Sequence, residues 1–226
     1  MGYHYDHDID LANDQDLYAR VAKLVGNNKS VLDVGCGSGQ VGKVLAEHLG
    51  CRVSGLEIEK EACALARSRL WKVVQGDAER MDLVASFGAA TFDVILCLDV
   101  LEHMVDPWRF VSLLKPLLSS GGCIIATVPN VTHASVLLEL LAGKFIYRDL
   151  GLLDRNHLRF FTLETITELF ESAGYRLEHL DRNIVDIKYL DLKADLDRFP
   201  PTILEFVKSL PEATTYQYIM KAVTRK

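Results

Sequence analysis

The chain has 226 residues, is 49% hydrophobic and 25% charged, and carries a net charge of −6 from 25 Lys+Arg against 31 Asp+Glu. That length and balance suit one α/β domain with a core of ordinary size. The acidic balance argues against nucleic acid as the main substrate, because phosphate binding needs basic surface, and no apolar run is long enough to predict a transmembrane helix.

The first ten residues are polar and contain no signal-peptide core. Tyr3, His4, Tyr5, Asp6, His7 and Asp8 form either a loosely ordered terminus or a flap over a ligand. Asn13 is placed to cap a helix whose apolar positions Leu17, Val21, Leu24 and Val25 keep helical spacing, and Gly26-Asn27-Asn28 ends it. Cys36, Cys51, Cys63, Cys97 and Cys123 are scattered singly, without the C-x-x-C spacing of a zinc or redox site. Unpaired cysteines fit a reducing compartment, so a cytoplasmic location is expected.

Val31 to Val34 reads as a buried strand, and Val41 to Leu49 reads as a helix ended by Gly50. Between them lie Gly35, Gly37 and Gly39, which let the backbone turn tightly and let a ligand approach main-chain N–H groups. Gly37-Ser38-Gly39-Gln40-Val41-Gly42 matches G-x-G-x-x-G, a weak dinucleotide signal by itself. The fuller frame is Asp33-x-Gly35-x-Gly37-x-Gly39. A carboxylate at Asp33 repels a pyrophosphate but suits a sulfonium and an ammonium group. Arg52 to Leu56 is the second strand and ends in Glu57, about 20 residues on, where such folds place an acid against ribose hydroxyls.

This arrangement resembles motif I of the class I S-adenosylmethionine (SAM)-dependent methyltransferases, whose glycine loop wraps the methionine half of the cofactor. The resemblance implies cofactor contacts from Asp33, Gly35, Cys36, Gly37, Gly39, Glu57 and Ile58, and S-adenosylhomocysteine as product. Glu59 to Leu70 reads as a helix and Trp71 to Gln75 as a short strand. In the resembling family an acid after that strand accepts a bond from the adenine amino group and the next N–H meets the ring, which points to Asp77 and Ala78. Asp77 as a plain turn residue is the alternative. Phe92 to Cys97 is the fourth strand. The segment Leu98 to His103 resembles motif IV and its loop in small-molecule methyltransferases, with the Leu98 backbone toward the methionine ammonium. Asp33 and this segment argue against a nicotinamide-dependent oxidoreductase on the same topology; a non-catalytic SAM binder stays open.

Asp106-Pro107 starts a helix, and Gly121-Gly122 turns into strand five, Cys123 to Val128. Residues 130–161 depart from the minimal fold and read as a lid at the carboxyl ends of the strands, where open α/β sheets bind ligands. Within it Val136 to Leu141 is helical. Arg155, His157 and Arg159 alternate, so an extended stretch places them on one side. They and His133 are candidate acceptor-binding residues, and the basic pair implies an anionic acceptor; pairing with lid carboxylates such as Asp154 is the alternative. Thr162 caps a helix through Ala173. Tyr175 to Asp181 and Tyr216 to Thr224 are the last strands, with a short helix over Ile203 to Leu210 between them.

The expected architecture is a Rossmann-like, seven-stranded, mostly parallel sheet with helices on both faces and an antiparallel last strand. Its parts are a cap (1–28), a cofactor-binding core (29–129), a lid (130–161) and a closing segment (162–226). The segment Asn130 to Phe161, with Leu150 to Thr162, is similar to bacterial methyltransferases of O-antigen and surface-polysaccharide synthesis, which implies an oxygen of a sugar, sugar nucleotide or related metabolite as acceptor. Methyl transfer to a hydroxyl benefits from a general base. His103 is the first candidate, against a role in fixing its loop, and His157 is the second. No metal-ligand spacing stands out, so metal-independent catalysis is expected, by a monomer or homodimer.

Overall fold

The computed structural model describes residues 9–187 and 196–225. The N-terminal flap reading falls on residues outside these. Seven strands form one sheet in the order β3-β2-β1-β4-β5-β7-β6. They are β1 (Ser30–Val34), β2 (Arg52–Glu57), β3 (Lys72–Gln75), β4 (Phe92–Leu98), β5 (Leu118–Pro129), β6 (Tyr175–Ile184) and β7 (Thr215–Thr224). The first five run parallel, and β7 lies antiparallel between β5 and β6. The expected topology is therefore present.

Helices cover both faces: α1 (Leu17–Val25), α2 (Gln40–Leu49), α3 (Lys60–Ala66), α4 (Leu83–Phe87), α5 (Pro107–Leu114), α6 (Ala134–Leu141), α7 (Leu163–Ser172) and α8 (Pro201–Ser209). On one face Leu32, Ile95 and Ile124 of the strands pack with Phe110 and Leu114 of α5 and with Ile166, Leu169 and Phe170 of α7. On the other, Val31, Val53, Leu96 and Ile125 pack with Val21 and Val25 of α1 and Leu45 of α2. The alternation Val31/Leu32 and Leu96/Ile95 shows the period-2 rule at work: neighbouring strand residues feed opposite layers.

Several boundaries differ from expectation. Asp16, not Asn13, caps α1; its carboxylate accepts the Tyr18 and Ala19 N–H bonds at 2.8 and 3.0 Å. Asn13 closes a local turn by accepting from the Gln15 N–H, because the helical spacing begins only at Leu17. α3 stops at Ala66 rather than reaching Leu70. The chain turns there and tucks Leu70 against Gly39 and Gly42 of the next segment over. β5 begins before Gly121-Gly122 and passes through them with an irregular register against β4. The short α4, capped by Asp82, carried no sequence expectation. Among the described residues no helix is long and apolar enough to cross a membrane, and all five cysteines are free and buried.

Candidate functional site

The carboxyl ends of β1, β2, β4 and β5 open into a cavity of about 820 Å³. Its first wall is the glycine loop after β1. Gly35 has φ +67°, and a Cβ there would lie 2.7 Å from Val100, so both the conformation and the space require glycine. Gly39, at φ +82°, lets the loop approach the Ala66 backbone of α3. It supports the loop from behind and does not line the cavity, whereas Asp33, Gly35, Cys36 and Gly37 do.

Glu57 is the brace of this wall. Its buried carboxylate accepts the Gly37 N–H at 2.8 Å across the cleft, and the Ile58 and Glu59 N–H groups at 2.8 Å on its own strand end. Three donors hold it in one orientation at the mouth of the cavity, with Ile58 beside it. Asp33 lies beneath the loop, 3% exposed. Burial, aided by the neighbouring Glu57 charge, pushes its carboxyl up to about 7. A cation placed against it would reverse that shift.

The opposite wall comes from the turn after β4 and from the segment 130–161. Leu98 ends β4 on the cavity, and Asp99 follows at φ +52°. Asp99 accepts from the Thr127 hydroxyl at 3.0 Å and the Gln217 side-chain amide at 2.8 Å, while burial raises its carboxyl above the usual range. A single 3₁₀ turn, Leu101–His103, then turns Glu102 inward and leaves His103 exposed. The Glu102 carbonyl accepts the N–H groups of Leu158 and Arg159 at 2.8 and 2.9 Å, which ties residues 157–159 onto this turn. The His103 ring Nδ1 faces the Asn156 carbonyl at 3.1 Å, and the His157 ring Nδ1 faces the Leu152 carbonyl at 3.2 Å. A carbonyl only accepts, so both rings carry a proton on Nδ1, and the neutral form of each has its lone pair on Nε2. The rings meet edge to face with centroids 4.8 Å apart. Burial, and the repulsion that a protonated His103 would add, hold His157 below the usual histidine range.

Other expected site residues lie elsewhere. Asp77 closes the turn after β3, accepting from the Glu79 N–H at 2.9 Å and pairing with Arg80 at 3.1 Å. Neither Asp77 nor Ala78 lines the cavity. His133 is completely buried as the N-cap of α6; its Nδ1 meets Ser135 and its Nε2 donates to the Val185 carbonyl at 2.8 Å. Both nitrogens are spent, so His133 holds structure and does not reach an acceptor. The alternating stretch is a turn at Arg155 and Asn156 followed by irregular backbone rather than a strand. Consequently His157 points inward while Arg155 pairs with Asp149 at 2.6 Å and Arg159 bonds the Val105 carbonyl, both outside the cavity lining. The cavity beside His103 and His157 is lined instead by Asp99, Glu102 and Asp154, so the two arginines give no reason to expect an anionic acceptor.

Sequence reasoning missed Asp99, Glu102, Asp154, Tyr216 and Gln217. The last two reach the cavity because β7 runs antiparallel beside β5, which pairs Gln217 with Pro129 at the carboxyl edge. Glu102 was readable only as the neighbour of His103.

Comparisons with known proteins agree with this geometry. A family model described as a methyltransferase domain matches residues 5–180. The ubiquinone biosynthesis O-methyltransferase of Thiobacillus denitrificans is 30% identical over 183 residues, covering 78% of this chain and 77% of that protein. Among solved structures, a SAM-dependent methyltransferase from Archaeoglobus fulgidus is similar with a TM-score of 0.66 at 19% identity, covering 91% of this chain and 92% of that one. The Synechocystis magnesium protoporphyrin IX methyltransferase, solved with bound S-adenosylhomocysteine, gives 0.63 at 16% identity and covers 97% and 90%. The curated relatives do not support the expected link to O-antigen or polysaccharide synthesis.

Proposed function

The chain belongs to the methyltransferase domain family and is a SAM-dependent small-molecule methyltransferase, and we propose that it methylates a hydroxyl oxygen of a ring-bearing acceptor held between the glycine loop and the His103–His157 pair. One observation carries this reading: a single cavity joins the Asp33–Gly37 loop and Glu57 to two histidines whose Nε2 atoms are free to take a proton.

The residues present fit the cofactor. Gly37 stands open, with nothing within 4 Å of where a Cβ would lie. Asp33 is a buried acid whose raised value a cationic group would lower. Bound SAM supplies an already activated methyl group. Glu57, fixed by three N–H donors, two on Oε1 and one on Oε2, retains one lone pair on Oε2 for a ribose hydroxyl. Asp33 would supply the counter-charge to the methionine end, and the Leu98 backbone would border it. Residues 150–157 act as a lid and exclude water from the transfer. Leu150, Pro129 and Tyr216 give the acceptor an apolar wall. The histidine pair would take the hydroxyl proton as the methyl group leaves the sulfonium sulfur for the oxygen.

The O-methyltransferase relatives favour a phenolic hydroxyl over a sugar. Purified protein is assayed for S-adenosylhomocysteine formation with catechols and with sugar nucleotides. Turnover on the aromatic set is expected, and His103→Ala lowers it about 100-fold while SAM affinity is unchanged. Near-normal turnover in that variant assigns His103 to loop support only; methylation confined to the sugars overturns the acceptor class.

A further inference from the structure

Glu102 does not have the environment of an ordinary buried carboxylate. It is 1% exposed, and neither carboxyl oxygen has a hydrogen-bond partner. Burying such a group unpaired is costly, and its backbone carbonyl, by contrast, is fully used by Leu158 and Arg159. One ligand atom from each of Glu102, His103 and His157 lies within 4.8 Å of the other two.

The donor count at this cluster is the important feature. The Nδ1–H groups of both histidines are taken up by the carbonyls of Asn156 and Leu152, which leaves Nε2 as the free nitrogen of each neutral ring. What converges is therefore two imidazole lone pairs and a carboxylate: three acceptors and no donor. A single proton on Glu102 can satisfy one of the two imidazoles and leaves the other facing an acceptor. Asp99 and Asp154 line the same cavity and add further negative charge. A backbone carbonyl accepting from the other nitrogen of each ring is also how proteins orient metal-binding histidines.

The geometry points to a metal site: Glu102, with His103 and His157 through Nε2, holds a first-row divalent transition cation such as zinc or manganese. Two imidazoles and a carboxylate suit these ions better than magnesium, which prefers oxygen ligands. Three protein ligands leave a coordination position open toward the cavity. The inference rests on the proposed methyl transfer and changes one step of it: with both Nε2 atoms bound to a cation the histidines no longer serve as the base, and the cation would lower the pKa of an acceptor hydroxyl and let its proton leave to solvent. It replaces the expected metal-independent catalysis, which rested on ligand spacing; the ligands come from two segments that only the fold brings together.

The test reads metal directly. Chelator-treated protein is incubated separately with zinc, manganese(II) and magnesium salts, gel-filtered, and its metal content measured; cobalt(II) absorption reports the ligand field. Retention of about one zinc or manganese per chain is expected, with no magnesium. A His4→Ala/His7→Ala variant, which removes the other histidine-rich stretch, should keep it. Glu102→Gln and His157→Gln should lower affinity at least 10–100-fold and abolish the cobalt bands. Their SAM-induced thermal shift should persist, which shows that they are folded and separates this test from the cofactor assignment. Wild-type protein that retains no transition metal, or the two Gln variants retaining as much as wild type, overturns the site.

Discussion

Replacing Asp33 by Asn removes the buried charge beneath the glycine loop and changes little else in shape. Asp33 is 3% exposed, and burial together with the Glu57 charge moves its carboxyl from 3.8 to about 7. A raised folded-state value means that the native chain holds a proton the unfolded chain has already released. Its contribution to stability therefore falls as pH rises from about 4 to about 7 and is level above. At about 1.4 kcal/mol per pH unit, the ionised group weighs against the folded state by about 4 kcal/mol above pH 7. Asn escapes this cost. Denaturant unfolding of the cofactor-free protein at pH 5 and pH 8 should show the advantage of Asp33→Asn over wild type growing by about 2–3 kcal/mol. In a chain of this size that is roughly 5–10 °C in Tm. Comparing variant with wild type at each pH cancels the titration of Asp99, Glu102 and His157. SAM binding should weaken in the variant, because its cation loses a counter-charge, and in wild type below pH 7 it should release a proton, read by calorimetry in buffers of different ionisation enthalpy. A stability difference that does not change with pH would refute the account of Asp33 as a strained acid awaiting a cation.

Glu57→Ala should act twice. It leaves three N–H donors without their acceptor, which lowers apo stability by about 2–4 kcal/mol, and it removes most of the SAM-induced thermal shift; an unchanged apo Tm would mean that the brace contributes nothing. Arg159→Ala should leave the acceptor KM unaltered and cost about 1 kcal/mol or less of stability, since the side chain bonds the Val105 carbonyl outside the cavity. A strong rise in KM would restore an anionic acceptor.

The parts of the site that were legible in the sequence are those built within one strand and its loop. Asp33, Gly35, Gly37 and Glu57 lie in a strand–turn–helix–strand unit whose geometry is set by neighbours in the chain, so spacing alone locates them. The far wall is different. Arg155, His157 and Arg159 looked equivalent because alternation assumes an extended strand; in the turn and irregular backbone that follow Asp154, the backbone bonds to Glu102 decide which side chain faces in. His133 looked free because nothing in its local sequence announces Val185 as its partner. Gln217 and Tyr216 depend on strand order, which pairs them with residues far away in the chain.

The central place of β7 bears on how the molecule is made. The strand is hydrogen-bonded along both sides, to β5 and to β6, yet it is the last of the seven to be synthesised. Until it arrives, a nascent chain can assemble the parallel half, but β5 presents an unpaired row of backbone groups bordered by Ile124, Ile125 and Val128. Such an edge invites pairing with a neighbouring chain. Inserting β7 closes that edge and brings Tyr216 and Gln217 to the cavity in the same step, so protection from aggregation and completion of the binding site are achieved together, and a chain cut short before Thr215 should have neither.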